Sequence, residues 1–463
     1  MTSEPHSETR PLTVKELLAY GGLSIPLQAL LIPLIVFLPP FYATEMGLSL
    51  TTVGAVFFVA RLWDAISDPI IGGLSDRTKS RFGPRRPWIF VGTPFLMGLT
   101  WLLLVPQFEI NFVSLSLLIF TFYVFWTAVF IPYQSWGAEI TPDYDERSRV
   151  TAFREGATVI GIMLGMGMPL LLIDPITAPI RDVLWPGGLP LDNSLGSLMR
   201  VMASTVVILL PITAFMACRF APAPDFASAQ TIEWRQTLGV LQRNKTFQRL
   251  FIGYFSAQLG FSCFLATVQL FVTKGLMLEK FLLLVFLQHV VAIITVPAWI
   301  WASNTIGKHR AYCATLGFMI AGFLGFLLIP TGNLQAAMIV FMFHGIGASG
   351  KLILPSAIAA DTVDYDTLQT GTREAGSHLA LLNLANKVTF ALSVGITYPL
   401  LALAGFDPNG ENSPATINAL MAITVGLPFV FMAIGFAIMW NFPLTRERHA
   451  DIRAELSRRQ VAK

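Results

Sequence analysis

Two carboxylates and a guanidinium interrupt a strongly apolar stretch at residues 53–71. Asp64 and Asp68 are four residues apart, which places them one turn apart on the same face of a helix, and Arg61 precedes them by a similar spacing. A charged side chain deep in a membrane helix costs roughly 2.5–3.5 kcal/mol on insertion scales. Packing alone does not explain three such side chains so close together. The spacing predicts an internal cation site at Asp64 and Asp68, with Arg61 as its counter-charge.

Hydroxyl groups could complete this site. Ser67 lies on the same segment and Thr127 on a later one. Na⁺ prefers carboxylate and hydroxyl oxygens, and the same acids can carry a proton. The alternative is that each hydroxyl bonds the backbone of its own helix, which is at least as common. Oxygen groups of this kind suit a cation or a proton, and we expect no other metal and no cofactor.

The composition defines the class of protein that must position these residues. The chain has 463 residues, of which 54% are hydrophobic and 13% charged, and its mean hydropathy is +0.63. Soluble domains carry about 25% charged residues. The three cysteines show neither a disulfide framework nor metal-ligand spacing. The sequence thus predicts a polytopic membrane protein whose immediate surroundings are the lipid bilayer.

Twelve apolar segments are long enough to span a bilayer as helices. An even number places both termini on one side of the membrane. Lys and Arg are concentrated on that side, and the opposite connections hold only Arg181, Lys274 and Lys280. By the positive-inside rule, we expect both termini to be cytoplasmic. We expect the membrane to be a bacterial-type inner membrane. The segments are residues 17–40, 48–74, 87–106, 112–138, 152–173, 198–220, 247–273, 281–303, 311–330, 335–358, 376–404 and 415–441.

A polar stretch in the middle of the chain divides these segments into two sets of six. Residues 221–246 begin with alternating Ala and Pro and continue as a polar, partly helical sequence. Two six-helix halves around a central site are a common transporter plan. We expect an N-terminal half at 1–220, a cytoplasmic linker at 221–246, a C-terminal half at 247–441 and a cytoplasmic tail at 442–463.

A cluster of charges follows the second segment, on the cytoplasmic side. Asp76 ends the segment, and Arg77, Arg81, Arg85 and Arg86 follow in a turn that contains Gly and Pro. One interpretation is a gate, in which Asp76 and the arginines pair with neighbouring helix ends. The other is simple anchoring by positive charge.

Three motifs carry a resemblance to a known family. They are RLWDAISDPIIGGLSDRTKSRFGPRRPW at 61–88, IPYQSWGAEITPDYDERSRVTAFRE at 131–155, and ADTVDYDTLQTGTREAG at 360–376. Together they resemble the glycoside–pentoside–hexuronide:cation symporters, the melibiose-permease-like branch of the major facilitator superfamily. The resemblance covers the whole chain and implies an all-α fold of twelve transmembrane helices in two six-helix halves.

The resemblance also implies roles for individual residues. Asp64 and Asp68 match the family's cation-site acids, and Arg61 and Lys387 match basic residues near that site. Arg154 matches an arginine of the fifth segment implicated in substrate binding. The cytoplasmic gate extends to the end of the tenth segment. Its residues there are Asp361, Asp364 and Arg373.

Departures from the family occur at the substrate positions. Sugar-binding members keep an acid in the first segment, where this chain has Gln28, and a second in the fourth, where it has Phe130. A nearby tryptophan is replaced by Gln134, and Tyr133 remains available to stack on a sugar ring. A melibiose-like neutral galactoside is therefore not the expected substrate.

An additional cation, Lys351, lies ten residues before Asp361 in the tenth segment. A lysine at such depth reaches the interface, pairs with an acid or faces a cavity. The excess of interior positive charge favours an anionic group on the substrate, such as a uronate, a sulfonate or a phosphate. Pairing of Lys351 with an internal acid is an equally weighted alternative.

These observations predict a secondary transporter that moves a sugar-like substrate together with Na⁺ or H⁺ by alternating access. The alternative is a carrier of lysolipids or other amphiphiles with the same fold, since the sugar-gripping acids are absent and Phe130 is apolar. An enzyme is not expected, because no nucleophile–base pair, phosphate loop or metal-ligand cluster is present. We expect a monomer with no nucleic-acid partner.

Overall fold

The computed structural model describes residues 11–141, 143–173, 194–222, 234–372 and 374–461. Helices joined by short connections make up this part of the chain, and no strand occurs in it. Helices satisfy their backbone N–H and C=O groups internally, as a lipid environment requires. Among the described residues, eleven helices are long and apolar enough to cross a membrane.

In the described ranges, twelve main helices, named α1 to α12, overlap the twelve predicted segments one for one. A short linker helix, Trp234–Arg243, precedes α7, and a tail helix, Arg446–Val461, follows α12. Eleven of the twelve meet the criteria of length and apolarity, and α9 is the remaining one. The bounds are α1 Val14–Thr44, α2 Leu50–Asp76, α3 Arg86–Leu104, α4 Phe112–Glu139, α5 Tyr144–Ile173, α6 Leu195–Phe220, α7 Lys245–Gly275, α8 Phe281–Ile306, α9 Lys308–Phe326, α10 Leu334–Thr370, α11 Ala375–Leu403 and α12 Pro414–Trp440.

Some helices are longer than the apolar segments that predicted them. The helix α10 was expected to end near residue 358 but continues to Thr370, where Gly371 takes the left-handed conformation (φ 77°) of a helix cap. Similarly, α5 begins at Tyr144 rather than near residue 152. The segments were predicted from runs of apolar residues, so they leave out helical turns at the ends that are made of polar residues.

The chain divides into two compact units. The first comprises Met1–Phe41 and Trp63–Thr231, and the second comprises Tyr42–Leu62 and Ile232–Lys463. The division falls inside α2, so residues 50–62 group with the second unit. Asp64, Ser67 and Asp68 therefore belong to the first unit, whereas Arg61 belongs to the second.

Backbone contact between α1 and α5 organises the first unit. Gly161 and Gly165 of α5 face the carbonyl groups of Ile25 and Ala29 on α1. A methyl group at Gly165 would lie 2.6 Å from the Ala29 oxygen. Only glycine permits this approach, which brings the polar residues of α1 close to α5.

Glycines also bring α10 against its neighbours in the second unit. A methyl group at Gly345 would overlap the carbonyl oxygen of Gln288 on α8, and one at Gly347 would lie 2.8 Å from the carbonyl oxygen of Thr315 on α9. The neighbouring atoms belong to helix backbone and have little room to move. The glycine-rich part of α10 therefore fixes its position against α8 and α9.

This packing makes a testable prediction about stability. We expect Gly345→Ala to lower the free energy of unfolding by about 1–3 kcal/mol, because the added carbon overlaps backbone. The matched control is Gly317→Ala on α9, where a methyl group meets nothing within 4 Å. That change should leave the melting temperature equal or higher, since alanine favours a helix over glycine. Equal melting temperatures for both variants in detergent would contradict the prediction.

Candidate functional site

The two acids of α2 converge on one hydroxyl of α4. Thr127 Oγ1 lies 3.2 Å from Asp68 Oδ1 and 3.4 Å from Asp64 Oδ1. Ser67 Oγ lies 3.3 Å from Thr127 Oγ1 and donates to the backbone carbonyl of Asp64 at 3.0 Å. Asp64 is only 2% exposed. The structure thus brings together two carboxylates and two hydroxyls, all within the first unit.

This arrangement suits a monovalent ion. The single hydroxyl hydrogen of Thr127 can be donated to one carboxylate at a time, while the two carboxylates repel one another. A bound cation or a proton would relieve that repulsion. The described residues contain no group of three or more His, Cys, Asp or Glu side chains that could hold a metal ion. The groups that the structure places together here are the oxygens of two carboxylates and two hydroxyls.

The helical positions explain the geometry. Asp64 and Asp68 share a face at the i, i+4 spacing, and Ser67 lies between them on the same side. Pro69 follows immediately and supplies no backbone N–H for the helix. The two hydroxyls behave differently. Ser67 bonds the backbone of its own helix, as one interpretation predicted, whereas Thr127 contacts the carboxylates, as the other predicted.

The two predicted basic neighbours, Arg61 and Lys387, lie in the second unit. The Arg61 guanidinium lies 5.9 Å from the ring centroid of Phe390 on α11. Lys387 is half-buried on α11, three residues before Phe390. Both residues are thus associated with one stretch of α11.

The predicted substrate residues of the first unit separate into buried and accessible groups. Tyr133 is 1% exposed, and its hydroxyl lies 3.0 Å from Ser24 Oγ. Arg154 is partly exposed, with Nη2 2.8 Å from Glu155 Oε1. Gln28 is half-buried, and Gln134 is exposed. The hydroxyl of Tyr133 is engaged by α1, so this side chain is held by the scaffold.

Lys351 is buried inside the second unit, at 4% exposure. Its ammonium donates to Gln258 Oε1 and lies 4.2 Å from the ring centroid of Phe261, both on α7. Within the described residues, no carboxylate forms an ion pair with it. The predicted alternative, pairing with an internal acid, is therefore not observed in this part of the chain. The structure instead partners the lysine with a neutral amide.

An ion network centred on the buried Arg85 lies at the end of α2. Arg85 is 2% exposed and bridges Glu139 at the end of α4 and Asp76, whose Oδ1 lies 2.5 Å away. Its Nη1 also donates to Ser75 Oγ at 2.6 Å. Burial lowers the pKa of Arg85, but the hydrogen bonds and charges of Glu139 and Asp76 raise it by more, so the net shift is upward.

Sequence reasoning placed Asp76 and Arg85 in this network but missed Glu139. The available signal was an acid one residue beyond the fourth apolar segment. Arg77 and Arg81 are exposed, and Arg81 lies over the ring of Phe82. Arg86 donates to the carbonyl of Ala221 at 2.7 Å.

The end of α10 carries a second network, in the second unit. Lys308 Nζ lies 2.5 Å from Asp361 Oδ1, and His449 of the tail helix lies 3.0 Å from Asp364 Oδ2 and 3.4 Å from Asp361 Oδ1. Sequence reasoning named both aspartates and missed their partners. The predicted gate residue Arg373 lies outside the described residues.

The linker helix is tied to the same end of α10. Arg243 Nη2 lies 2.9 Å from Asp366 Oδ2 and 2.8 Å from Glu374 Oε1. The hydrogen bond to Asp366 raises the pKa of Arg243 most, burial lowers it, and the bond to Glu374 raises it further. Asp366 is buried and was not identified from the sequence. The linker helix is therefore anchored by ion pairs on the second unit.

Comparison with known proteins gives the family. The sequence model of a family described as MFS/sugar transport protein matches residues 19–446. An uncharacterized symporter of Synechocystis is 26% identical over 96% of both chains. The glucuronide carrier protein homolog of Escherichia coli is 24% identical, covering 92% of this chain and 91% of its own. The sodium-dependent lysophosphatidylcholine symporter 1 of Gallus gallus is also 24% identical, covering 89% and 81%.

Solved structures show the same fold at low sequence identity. A bacterial homolog of the human lysosomal transporter Spinster aligns with a TM-score of 0.65, at 14% identity over 92% of this chain and 95% of its own. The nucleoside transporter NupG aligns with a TM-score of 0.64, at 11% identity over 93% and 99%. The predicted fold class and the resemblance to cation symporters of the major facilitator superfamily are confirmed. The chain therefore belongs to the MFS/sugar transport family and is a multi-pass membrane transporter rather than an enzyme.

Proposed function

We propose that this chain is a cation-coupled symporter that carries a sugar-like substrate together with Na⁺ or H⁺ by alternating access. The observation that carries the proposal is the convergence of Asp64 and Asp68 on the hydroxyl of Thr127. Relatives named as sodium-dependent symporters and as a glucuronide carrier homolog support it. On this proposal the protein is a monomer in a bacterial inner membrane, with cytoplasmic termini and no cofactor besides the coupling ion.

Coupling requires that the ion change the affinity for the substrate. An ion between Asp64 and Asp68 offsets two like charges and favours the form of the first unit in which both acids face Thr127. If that form binds substrate more tightly, each ligand raises the affinity for the other by the same factor. The ion then drives uptake without contacting the substrate.

The substrate half of the mechanism uses residues whose roles are inferred. Arg154 is accessible enough to meet a ligand. Gln28 offers an amide in place of an acid of the sugar-binding members, and Gln134 offers one in place of their tryptophan. Tyr133 supports this surface through Ser24. Amides and a guanidinium suit hydroxyl-rich and anionic groups, such as a uronide or a sulfonated sugar.

A lysolipid or another amphiphile is the second candidate substrate. The specific observation in its favour is an aromatic stack on α4, where the ring of Trp126 lies 6.2 Å from Phe122 and 5.3 Å from Phe130. Phe130 replaces an acid that would grip a sugar. Melting temperatures of the purified protein with uronides, neutral glycosides and lysolipids, each with and without Na⁺, distinguish the two candidates, because a ligand that binds the folded state stabilises it.

On this proposal, charged residues at the helix ends form a cytoplasmic gate. In the first unit it comprises Asp76, Arg77, Arg81, Arg85 and Arg86, and in the second Asp361, Asp364 and Arg373. Arg85 is its buried centre, since it joins the ends of α2 and α4. A gate built on such ion pairs can break and re-form as the carrier changes state.

The cation site is tested by paired substitutions. We expect Asp68→Asn to abolish ion-driven uptake in proteoliposomes while substrate exchange remains. Thr127→Val should raise the Na⁺ or H⁺ concentration for half-maximal uptake roughly tenfold, because one polar contact to the site is lost. Thr127→Ser keeps the hydroxyl and is the matched control. Unchanged ion dependence in Asp68→Asn would overturn the assignment.

The Arg85 network is tested by a double-mutant cycle. Arg85→Leu leaves Glu139 buried without its partner, so we expect unfolding to become easier by about 3–5 kcal/mol. Glu139→Gln introduced into that variant should recover most of the loss. Arg81→Leu, in the same loop but exposed, is the control and should change stability little. Additive effects of the two substitutions in the cycle would show that the pair is not coupled.

A further inference from the structure

The glycine-rich part of α10 presents Lys351 to the interior of the second unit. Gly350 approaches α8 and α9 so closely that a methyl group there would lie 2.9 Å from the ring of Trp299. Trp299 donates to the Ile346 carbonyl at 2.6 Å, and Ser349 lies 3.0 Å from Thr295 on α8. These contacts fix one side of α10 to α8 and α9, and Lys351 faces α7.

Lys351 has more hydrogen-bond donors than its surroundings use. An ammonium carries three N–H donors and no acceptor. Gln258 Oε1 accepts one of them, and the π face of Phe261 stabilises the positive charge. Among the described residues, no other acceptor bonds the ammonium, so two donors remain buried and unused. A buried donor without a partner is costly.

The same interior holds further polar groups without partners. His344 lies seven residues before Lys351, two turns away on the same side of α10, and is fully buried. In the described part of the chain, neither of its ring nitrogens has a hydrogen-bond partner, and the same is true of Gln288 Oε1 on α8. The ring of His344 lies 6.4 Å from that of Phe261, the same ring that Lys351 lies over, so cation and imidazole share one interior region with Gln258 of α7.

We infer that Lys351, with Gln258 and His344, forms a binding site for the oxyanion of an acidic substrate, namely a carboxylate, sulfonate or phosphate. Such a group accepts the two unused N–H donors of Lys351 and compensates its charge, which no acid of the described residues does. The amide Nε2 of Gln258, whose 3.5 Å contact to Ser262 is long, can turn to a ligand oxygen. The inference rests on the proposed function, since it names the substrate class of that carrier.

Two sources of the oxyanion are possible, and matched probes separate them. The first pair is p-nitrophenyl β-D-glucuronide and p-nitrophenyl β-D-glucoside, which differ only in the carboxylate. The second pair is oleoyl lysophosphatidic acid and 1-oleoylglycerol, which differ only in the phosphate. Equilibrium binding to the purified full-length protein in detergent needs no ion gradient.

We expect the acidic member of at least one pair to bind about tenfold more tightly than its neutral partner, because its hydrogen bonds to Lys351 are charge-assisted. Gln258→Glu places an acid beside Lys351 and satisfies its charge internally, so this variant should fold and lose the preference. Lys351→Met should lose it as well, and Lys351→Arg should keep part of it. Leu352→Met, at an exposed neighbouring position, is the control and should behave as the wild type.

The outcomes are decisive for this site independently of transport. Failure of the wild type to prefer the acidic member in both pairs overturns the inference. A preference that survives in Gln258→Glu also overturns it, because the lysine would then have only a structural role. Ion-driven uptake in proteoliposomes reports separately on the proposed symport. A carrier that binds the acidic probe but shows no ion dependence would contradict the symport and leave this site intact.

Discussion

Inside a bilayer, a charged side chain persists only where another group compensates its charge, and this constraint accounts for the described polar interior of the protein. Asp64 and Asp68 share one hydroxyl donor on α4, the Oγ1 of Thr127. On the proposed function, a cation or a proton bound there lowers the repulsion between the two like charges. The ion then favours the conformation in which both acids face Thr127.

At the helix ends, the protein's own side chains compensate the buried charge. Arg85 is surrounded by the carboxylates of Glu139 and Asp76 and by the hydroxyl of Ser75, so this buried cation has its charge fully met by the protein. Breaking one partner of a buried pair leaves a charge in a poorly solvated place, which costs far more than the intact pair contributes. Networks of this kind favour discrete arrangements over gradual deformation.

The sequence predicted the membrane helices and the common face of Asp64 and Asp68, because both rest on local rules. Apolarity over about 20 residues defines a span, and the i, i+4 spacing of Asp64 and Asp68 defines a common face. The partners were harder to predict. Glu139 and Asp366 lie outside the predicted apolar segments, and their roles depend on which helix ends pack together, which no local pattern encodes. Gln258 was missed for a different reason, since a glutamine in an apolar helix carries no signal until its neighbour on another helix is known.

Lys351 differs from Arg85 in the way its charge is compensated, and this difference bears on transport. Arg85 keeps its partners when no ligand is bound, whereas Lys351 has an amide and an aromatic face and still holds unused donors. On the proposed function, the buried ammonium of Lys351 therefore carries an electrostatic cost that an acidic substrate relieves. Arg85 contributes the same stabilisation whether or not a ligand is bound, so it cannot distinguish the loaded carrier from the empty one. Lys351 can make that distinction within the second unit, because the cost at its ammonium falls only when the substrate is present.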